Sequence, residues 1–555
     1  MPTTPSHRPA PDPARLDESV PVLVVGGGIV GLSAALFLAR QGVRPLLVER
    51  HPDLLSHPRA RGFTQRTVEL YRQAGIEPAI RAVVFDTLAG QDWISVRGET
   101  LAGDWQPVEE PADDAVLAGA SPCAFAQIDQ DRLEAIVRER ARDLGADLRF
   151  GTRLDGFEQD ADGVTACLTN LASGEARTVR ADWMVAADGR GGDTRAALGI
   201  PEDGPGIFSE VVTLMADADL TPALRGRPVS IAYLDRPRPH SALMAHRPDG
   251  RHWVFGTGAD PSERSGFTDE QGIAFVRAAA GLPDVAVTLR PQIPGTDRKA
   301  LWWPIGAAVA RRFREGRVFL AGDAAHIVPP TGGFGANTGI QDAHDLAWKL
   351  AAVVGGQAGP ALLDSYEAER RPAALTTMAQ SLARAQSRMG FGDPDAASRL
   401  LSYGTVAFGL VYRSAAVVEP LPGDTGALPV DALRGQPGTR APHVWLAGRE
   451  GRVSTVDLFG DGFVLLAGAD GGAWAGAAET VAARLGLPLA AVRVDRAADP
   501  AGAWAAAYDA APAAAVLVRP DGYVAWRAET VPPDPTAALA EAMGTVLGRV
   551  PAAAR

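Results

Sequence analysis

Apolar residues fall along this chain in distinct rhythms. Short unbroken aliphatic runs occur at residues 20–28 (VPVLVVGGG), 44–50 (RPLLVER), 182–189 (DWMVAADG) and 317–323 (RVFLAGD). Such runs predict strands buried on both faces of a parallel sheet. Between them the apolar positions recur every three or four residues, which predicts helices. One follows the first strand, with Leu32, Ala35, Leu36 and Ala39 on a single face. A second covers 131–141, opened by Asp129-Gln130. A third covers 339–354, with a stripe of Ala343, Leu346, Ala347, Leu350 and Ala351. From about Ile200 to Ile293 the spacing shortens to strand-like alternation, and Pro248-Asp249-Gly250 predicts a hairpin turn there. The segments FVLLAGAD, AAETVAARLGL and AAVLVRPDGYVAW predict a strand, a helix and a hairpin near the C-terminus. No repeat of fixed period is present.

A chain of 555 residues exceeds what one core serves, so several domains are expected. The pattern divides them as follows. Residues 1–18, rich in proline and polar groups, predict a disordered leader. A discontinuous α/β domain takes 19–90, 120–200 and 300–375, and a β-rich domain takes 91–119 and 201–299 as insertions. A helical segment (376–418), a Pro/Gly-rich linker (419–442) and a small α/β domain (443–555) complete the chain.

Composition narrows the function classes. A formal net charge of −12 disfavours nucleic acid, whose phosphates are held by clustered Lys and Arg. Only Cys123 and Cys167 occur, which excludes a disulfide framework and cysteine-based metal centres and suits a reducing cytoplasm. No metal site is expected. The longest apolar runs fall short of 18 residues, so no membrane span is expected.

Gly26-Gly27-Gly28-Ile29-Val30-Gly31 fits G-x-G-x-x-G between a strand and a helix. The first glycine permits a tight turn, the second lets the backbone approach a pyrophosphate, and the third lets helix and strand pack closely. The helix N-terminus favours the phosphate charge. Glu49, with Arg50 beside it, ends the next strand where an acid accepts from a ribose. This constellation predicts a dinucleotide site without saying whether FAD or NAD(P) fills it.

A second motif, GDAAHIVPPTGGFGAN (322–337), comes much later. Asp323 follows a buried strand and can accept from ribityl or ribose hydroxyls. Pro329-Pro330 fixes an extended backbone and removes two donors. Gly332, Gly333 and Gly335 let the backbone lie against a flat ring, and Asn337 or Thr338 is expected to cap the next helix. Its N-terminus favours negative charge, which suits a reduced flavin.

With GGGIVG and Glu49, PRARGF (58–63), IDQDRLE (128–134), AADGRGGDTR (186–195) and GDAAHIVPPTGGFGANTGIQDAHDLAWKL, the chain resembles the group A flavoprotein aromatic hydroxylases, the p-hydroxybenzoate hydroxylase family, over about residues 20–375. The C-terminal part resembles the thioredoxin-like domain of larger members, such as phenol hydroxylase and the actinomycete polyketide hydroxylases. It has no cysteine, so thiol chemistry there is excluded. The resemblance implies an α/β, FAD-binding Rossmann-like fold with an inserted β-rich substrate domain. It implies that NADPH or NADH reduces FAD, that O₂ then gives a C4a-hydroperoxyflavin, and that oxygen passes to an electron-rich ring. No second G-x-G-x-x-G is present for the nicotinamide cofactor, as in that family.

Carried over by motif, Glu49 holds the adenosine ribose, Arg59 lies along the flavin, and Gln130 meets the ribityl or phosphate region. Asp323 meets the ribityl chain, and Gly333, Phe334, Gly335, Ala336 and Asn337 face the isoalloxazine. Asp188 belongs to the middle motif, and the Pro330 carbonyl lies near the substrate. The catalytic groups are otherwise open, with Arg59 and Pro330 nearest the chemistry. Simpler roles stand beside these: Arg59 and Arg61 as surface charges, Gln130 as a helix opener, His326 as a structural hydrogen-bonding residue. The family serine is replaced by Gly192. Tyr233, His240, His246, His252, Trp302 and Trp303 lie in or beside the insert and read first as core or surface residues.

The leading expectation is hydroxylation of a polycyclic aromatic polyketide or related phenol by a monomer or homodimer. Baeyer–Villiger oxygen insertion with the same cofactor, or a flavin reductase without oxygen chemistry, remain alternatives at this stage.

Overall fold

The computed structural model describes residues 16–549 apart from 55–58, 84–93, 110, 112–113, 239–240, 247–248, 294–295, 390–394 and 449–450. Pro58, His240, Pro248 and most of the expected leader therefore lie outside the described residues. The leader's last residue, Glu18, already opens the first strand.

The first domain is built on a mainly parallel sheet. Its strands run in the order Arg314–Glu315, Val318–Leu320, Ala176–Ala186, Glu18–Val25, Leu46–Glu49 and Asp147–Phe150. Period-two alternation splits the first strand between two cores. Val22 and Val24 face a layer of helices with Leu32, Leu36, Leu133, Val137, Ile340 and Leu346. Leu23 and Val25 face the antiparallel pair Thr152–Gln159 and Val164–Asn170, against Val164, Ala166 and Leu168. Each fully buried aliphatic side chain contributes about 1.5–3 kcal/mol. The helix Ile29–Arg40 is buried nearly all round, so its apolar stripe is wider than the four positions read from sequence.

The second domain is a nine-stranded sheet. Its centre is antiparallel, with Ser241–Ala245 and His252–Ala259 joined through Asp249 and Gly250 (φ 65°), as the turn signal predicts. The expected boundary at 299/300 is corrected. Strand Ala300–Ala310 pairs along its length with Glu202–Asp217, and His326–Ile327 pairs with it in turn. LWWPIGAAVA is apolar throughout, so no sequence period assigned it to one sheet or the other.

The third domain has strands in the order Leu489–Val494, Phe463–Gly468, Ala515–Val518 and Val524–Ala528. The first pair is parallel and the rest antiparallel, with helices Ala473–Leu485 and Pro535–Val546 packed together. This is a thioredoxin-like topology, and both cysteines, buried and unbridged, lie outside it. Among the described residues no helix is long and apolar enough to cross a membrane.

Two desolvated histidines, the buried His344 and the half-buried His443, predict a pH dependence. Burial pushes the His344 ring, edge-on to Phe37, down to about 3 and the His443 ring down to about 4 from 6.5. A histidine kept neutral when folded gains its proton on unfolding. Its contribution to stability is complete above pH 6.5 and falls as pH drops toward the folded value. Each group is expected to remove up to about 1.4 kcal/mol per pH unit in that window. Denaturant titrations stepped from pH 7 to pH 5 check this, and His344→Leu should flatten the slope. An unchanged slope in that variant would contradict it.

Candidate active site

Six separated segments meet at the carboxyl edge of the parallel sheet. The turn at 26–31 packs against two of them: a Cβ on Gly26 would sit 2.2 Å from the Ala187 carbonyl, and one on Gly322 would sit 2.7 Å from Val30. The glycines divide by role. Gly26 (φ 108°) and Gly31 allow the chain to close on itself, since a Cβ on Gly31 would meet the Gly26 carbonyl at 1.9 Å. Gly28 faces outward, with nothing nearer to its missing Cβ than a Glu134 oxygen at 4.0 Å. It opens the helix Ile29–Arg40, whose first N–H groups have no partner within the helix. Backbone and dipole there can accept a pyrophosphate.

Glu49 accepts from Gly27 N–H at 2.6 Å and from His51 N–H at 2.8 Å, so it closes the glycine turn at that edge. Arg50 is exposed just after it. Arg59 donates to the buried Glu134 at 2.8 Å while remaining 39% exposed. Gln130 donates to Glu134 at 2.7 Å and accepts from Ala60 N–H at 3.2 Å. It fixes the 59–60 segment in addition to starting the helix Gln130–Asp143. Asp188 accepts from Thr194 N–H and from the Thr194 hydroxyl at 2.7 Å. A Cβ on Gly192 would lie 2.0 Å from the Asp188 carboxyl carbon. A side chain at 192 would have to displace the Asp188 carboxylate, and Thr194 supplies a hydroxyl to Asp188.

Asp323 stands apart. Protein crowds it closely enough to push its carboxyl above the ordinary range, against the pull of His326, Arg59 and Arg190. Yet its surface is open, as for a residue lining a cleft. Among the described residues none donates a hydrogen bond to it. An open carboxylate that no described residue donates to is free to accept from the hydroxyls of a ligand.

The 322–337 loop differs in detail from its sequence reading. The helix begins at Phe334, five residues before the expected start, with Gly333 (φ 66°) as its N-cap. Asn337 and Thr338 are therefore inside the helix and are not caps. Asn337 is taken up by protein: it accepts from Thr64 N–H at 2.9 Å and the Thr67 hydroxyl at 2.7 Å, and donates to the Gly62 and Gly333 carbonyls. Gly332 is needed because a Cβ would strike the Phe334 ring at 2.5 Å, whereas Gly333 has open space. Gly333 is exposed and Gly335 and Ala336 half-buried, while Phe334 turns inward. The Pro330 carbonyl accepts from Gly333 N–H at 3.1 Å, closing the turn. His326 is buried against Asp342 at 2.6 Å, the structural role.

The site continues onto one face of the second sheet. One face of the sheet (Leu214, Ala216, Leu243, Trp253, Phe255) is sealed by the helix Asp269–Ala280. The opposite face is left half open. Register places Tyr233, Ala242, Gly256, Thr213 and Leu301 in one row across five strands, flanked by Ile231, Met244, Val254 and Met215 on one side and Gly258, Val211 and Trp303 on the other. Four strand spacings make this apolar floor about 19 Å long. Trp302 points the other way, against Phe267. His252 pairs with Asp249 near the surface.

The floor ends at a charged group that sequence reasoning missed. Arg388, in the helix Asp364–Met389, donates to Tyr233 Oη at 2.8 Å and to Tyr403 Oη at 3.0 Å. The Tyr403 ring lies 5.3 Å from Phe334, at the start of the helix Phe334–Val354. On the same side Arg61 donates to Asp129 and to the Ala245 and His246 carbonyls, and His246 contacts Asp129 at 3.2 Å. Tyr233 and Arg388 are 155 positions apart, so no local signal could pair them.

Comparisons with known proteins agree with this geometry. Residues 19–381 match the FAD binding domain family, and residues 434–550 match the aromatic-ring hydroxylase C-terminal family. The chain is 42% identical to tetracenomycin A2 monooxygenase-dioxygenase of Streptomyces glaucescens, covering 96% of this chain and 97% of that one. It is 41% identical to 4-methyl-5-nitrocatechol 5-monooxygenase of a Burkholderia species, over 96% and 98%. A crystal structure of aklavinone-11 hydroxylase with FAD and aklavinone superposes with a TM-score of 0.86 at 40% identity, over 96% of this chain and 100% of that one. The open backbone at Gly28 and Gly333 and the donorless Asp323 fit FAD, and the chain belongs to the FAD-dependent aromatic-ring hydroxylases.

Proposed function

We propose that this protein is an NAD(P)H-consuming FAD monooxygenase that hydroxylates a polycyclic aromatic polyketide or a related phenol. The observation carrying the substrate class is the long apolar floor that ends at the Tyr233–Arg388 pair. A single ring would cover one strand spacing of it, while several fused rings fill its length. Relatives that act on tetracenomycin and aklavinone support the polyketide reading, and the nitrocatechol enzyme supplies the single-ring contrast.

FAD, when bound, supplies the electrons and the place where O₂ is activated. The chain's residues do the rest. Gly28 and the first turn of its helix hold the pyrophosphate, Glu49 and Asp323 the sugar and ribityl hydroxyls, and Gly333, Gly335 and Ala336 the ring edge. Arg59, the Pro330 carbonyl and the Tyr233 row surround the place where ring and substrate meet. A substrate hydroxyl at the end of the floor meets a phenol and a guanidinium together. The positive charge of Arg388 favours the substrate phenolate, which makes the ring carbons more electron-rich. Apolar residues along the floor exclude water from the oxygen transfer. We place the protein in the cytoplasm, where the reduced nicotinamide cofactor is supplied, as a monomer or homodimer without nucleic acid or membrane partners.

The reading is tested by NADPH oxidation and oxygen uptake with and without anthraquinone and naphthacene phenols. Matched stimulation of both by one such compound is expected. Oxidation of NADPH without oxygen uptake would contradict it.

Gly256, at the centre of the floor, gives a size test. A Cβ there would touch Thr213 and Val211 at 3.7 Å, an ordinary contact, so Gly256→Leu should fold and keep its FAD. Its side chain would then rise into the space that the middle rings occupy. Turnover of a three- or four-ring phenol should fall by at least about tenfold, the order of one displaced apolar contact surface. A one-ring catechol should be spared. Equal losses for both would remove Gly256 from the floor.

A further inference from the structure

The third domain reaches toward the flavin loop through a buried polar chain that plays no part in the chemistry described above. Arg519, in its hairpin, is wholly buried. It donates to both Glu369 oxygens, at 2.6 and 2.9 Å, and pairs with Asp521. Lys349 joins the same group, donating to Asp345 at 2.7 Å and Glu369 at 2.6 Å, and the Trp348 indole donates to Asp521 at 3.1 Å. Asp345, Glu369 and Asp521 lie close enough to suggest a cation site, but Lys349 and Arg519 already provide the positive charge.

From this anchor a continuous series of contacts leads to the cofactor site. Tyr523, four residues beyond Arg519, stacks on Tyr412 with ring centres 3.9 Å apart and planes 10° apart. Tyr412 Oη accepts from Arg370 at 2.7 Å. Arg370 donates to Asp342 at 2.7 Å and to the Thr338 carbonyl at 3.1 Å. Asp342 accepts in turn from His326 at 2.6 Å and from Gly322 N–H at 3.1 Å. Gly322 (φ 60°) immediately precedes Asp323, and Thr338 lies in the second turn of the flavin-loop helix.

Buried ion pairs of this kind are poor devices for stability, because desolvation offsets most of their attraction and apolar replacements are often neutral or better. Their geometric demands are strict, so what they contribute is a fixed arrangement. We propose that Asp342, Arg370 and Tyr412 are positioning residues for the flavin loop, and that the thioredoxin-like domain sets them in place through Tyr523 and Arg519. The domain, which carries no cysteine, thereby acts on the cofactor through geometry. This inference rests on the FAD reading.

Tyr412→Phe tests it in the full-length chain, since it removes the acceptor of Arg370 and keeps the ring against Tyr523. Tyr523→Leu removes the stack from the other side. The expected result for both is FAD binding weakened about tenfold, with an altered visible circular dichroism band and a shifted flavin midpoint potential. In Tyr412→Phe the FAD-free protein should melt somewhat lower, because a buried Arg370 N–H loses its acceptor, so FAD affinity, spectrum and potential are the deciding readouts. Lowered melting temperatures with unaltered FAD affinity, spectrum and potential would overturn the proposal, because a merely structural role predicts that pattern. If Tyr523→Leu fails to fold, Tyr412→Phe decides alone. A wild-type chain that takes up no FAD would sink the cofactor reading and this inference with it. Normal wild-type binding beside unaltered variants would sink the inference only.

Discussion

Asp323→Ala is expected to purify with most of its flavin lost. The carboxyl lies in a crowded cleft that raises its proton affinity, and no described residue donates to it. A ribityl hydroxyl would supply the missing donor, and a hydrogen bond to a charged acceptor is worth about 1.5–3 kcal/mol. FAD affinity should therefore fall roughly ten- to a hundredfold. The FAD-free variant should melt close to the wild-type temperature, because the exposed carboxyl accepts no hydrogen bond from the described residues. Flavin content by absorbance and melting of both forms check this. Full flavin occupancy in Asp323→Ala would show that the loop does not serve the ribityl chain.

Tyr233→Phe should leave flavin content intact and lower turnover of a phenolic substrate by about a hundredfold, the size expected when a group that helps move or hold a proton is removed. Arg388→Met should do the same, since Arg388 acts on the phenol end of the floor through the 2.8 Å contact with Tyr233. The double variant should be little worse than either single one, as for residues that work as a unit. Single-turnover measurements separate this loss from changes in product release. Wild-type turnover in Tyr233→Phe would remove the pair from the mechanism.

Much of the first domain is legible in the sequence because its signals are local. The glycine turn lies between one strand and one helix, where Gly26 and Gly31 make the close approaches that their spacing predicts and Gly28 is left open. The C-terminal strand, helix and hairpin are equally plain. What escapes is set by distance along the chain. Asp342, Asp345 and Lys349 read as the polar face of an amphipathic helix, yet all three are buried, because the helix Phe334–Val354 is covered on its far side by residues from 360 onward. Their partners Glu369, Arg370 and Arg519 lie up to 174 positions away. Glycines misled in the opposite direction at 332–335, where they read as loop although the second caps a helix. Strand Ala300–Ala310 carries no period to assign it, so the sheet it joins follows only from pairing. Tyr233 reads as one core aromatic among several until Arg388 is seen beside it.

The central claim is that the chain places one oxygen atom of O₂ on an aromatic ring. It is tested most directly by supplying isotopically labelled dioxygen with NADPH, FAD-loaded protein and a naphthacene phenol, and reading the product by mass spectrometry. The account predicts a product carrying one labelled oxygen as a new ring hydroxyl, formed in step with NADPH consumed. An unlabelled product, or NADPH oxidised with all the label recovered as hydrogen peroxide whatever aromatic is supplied, would contradict it.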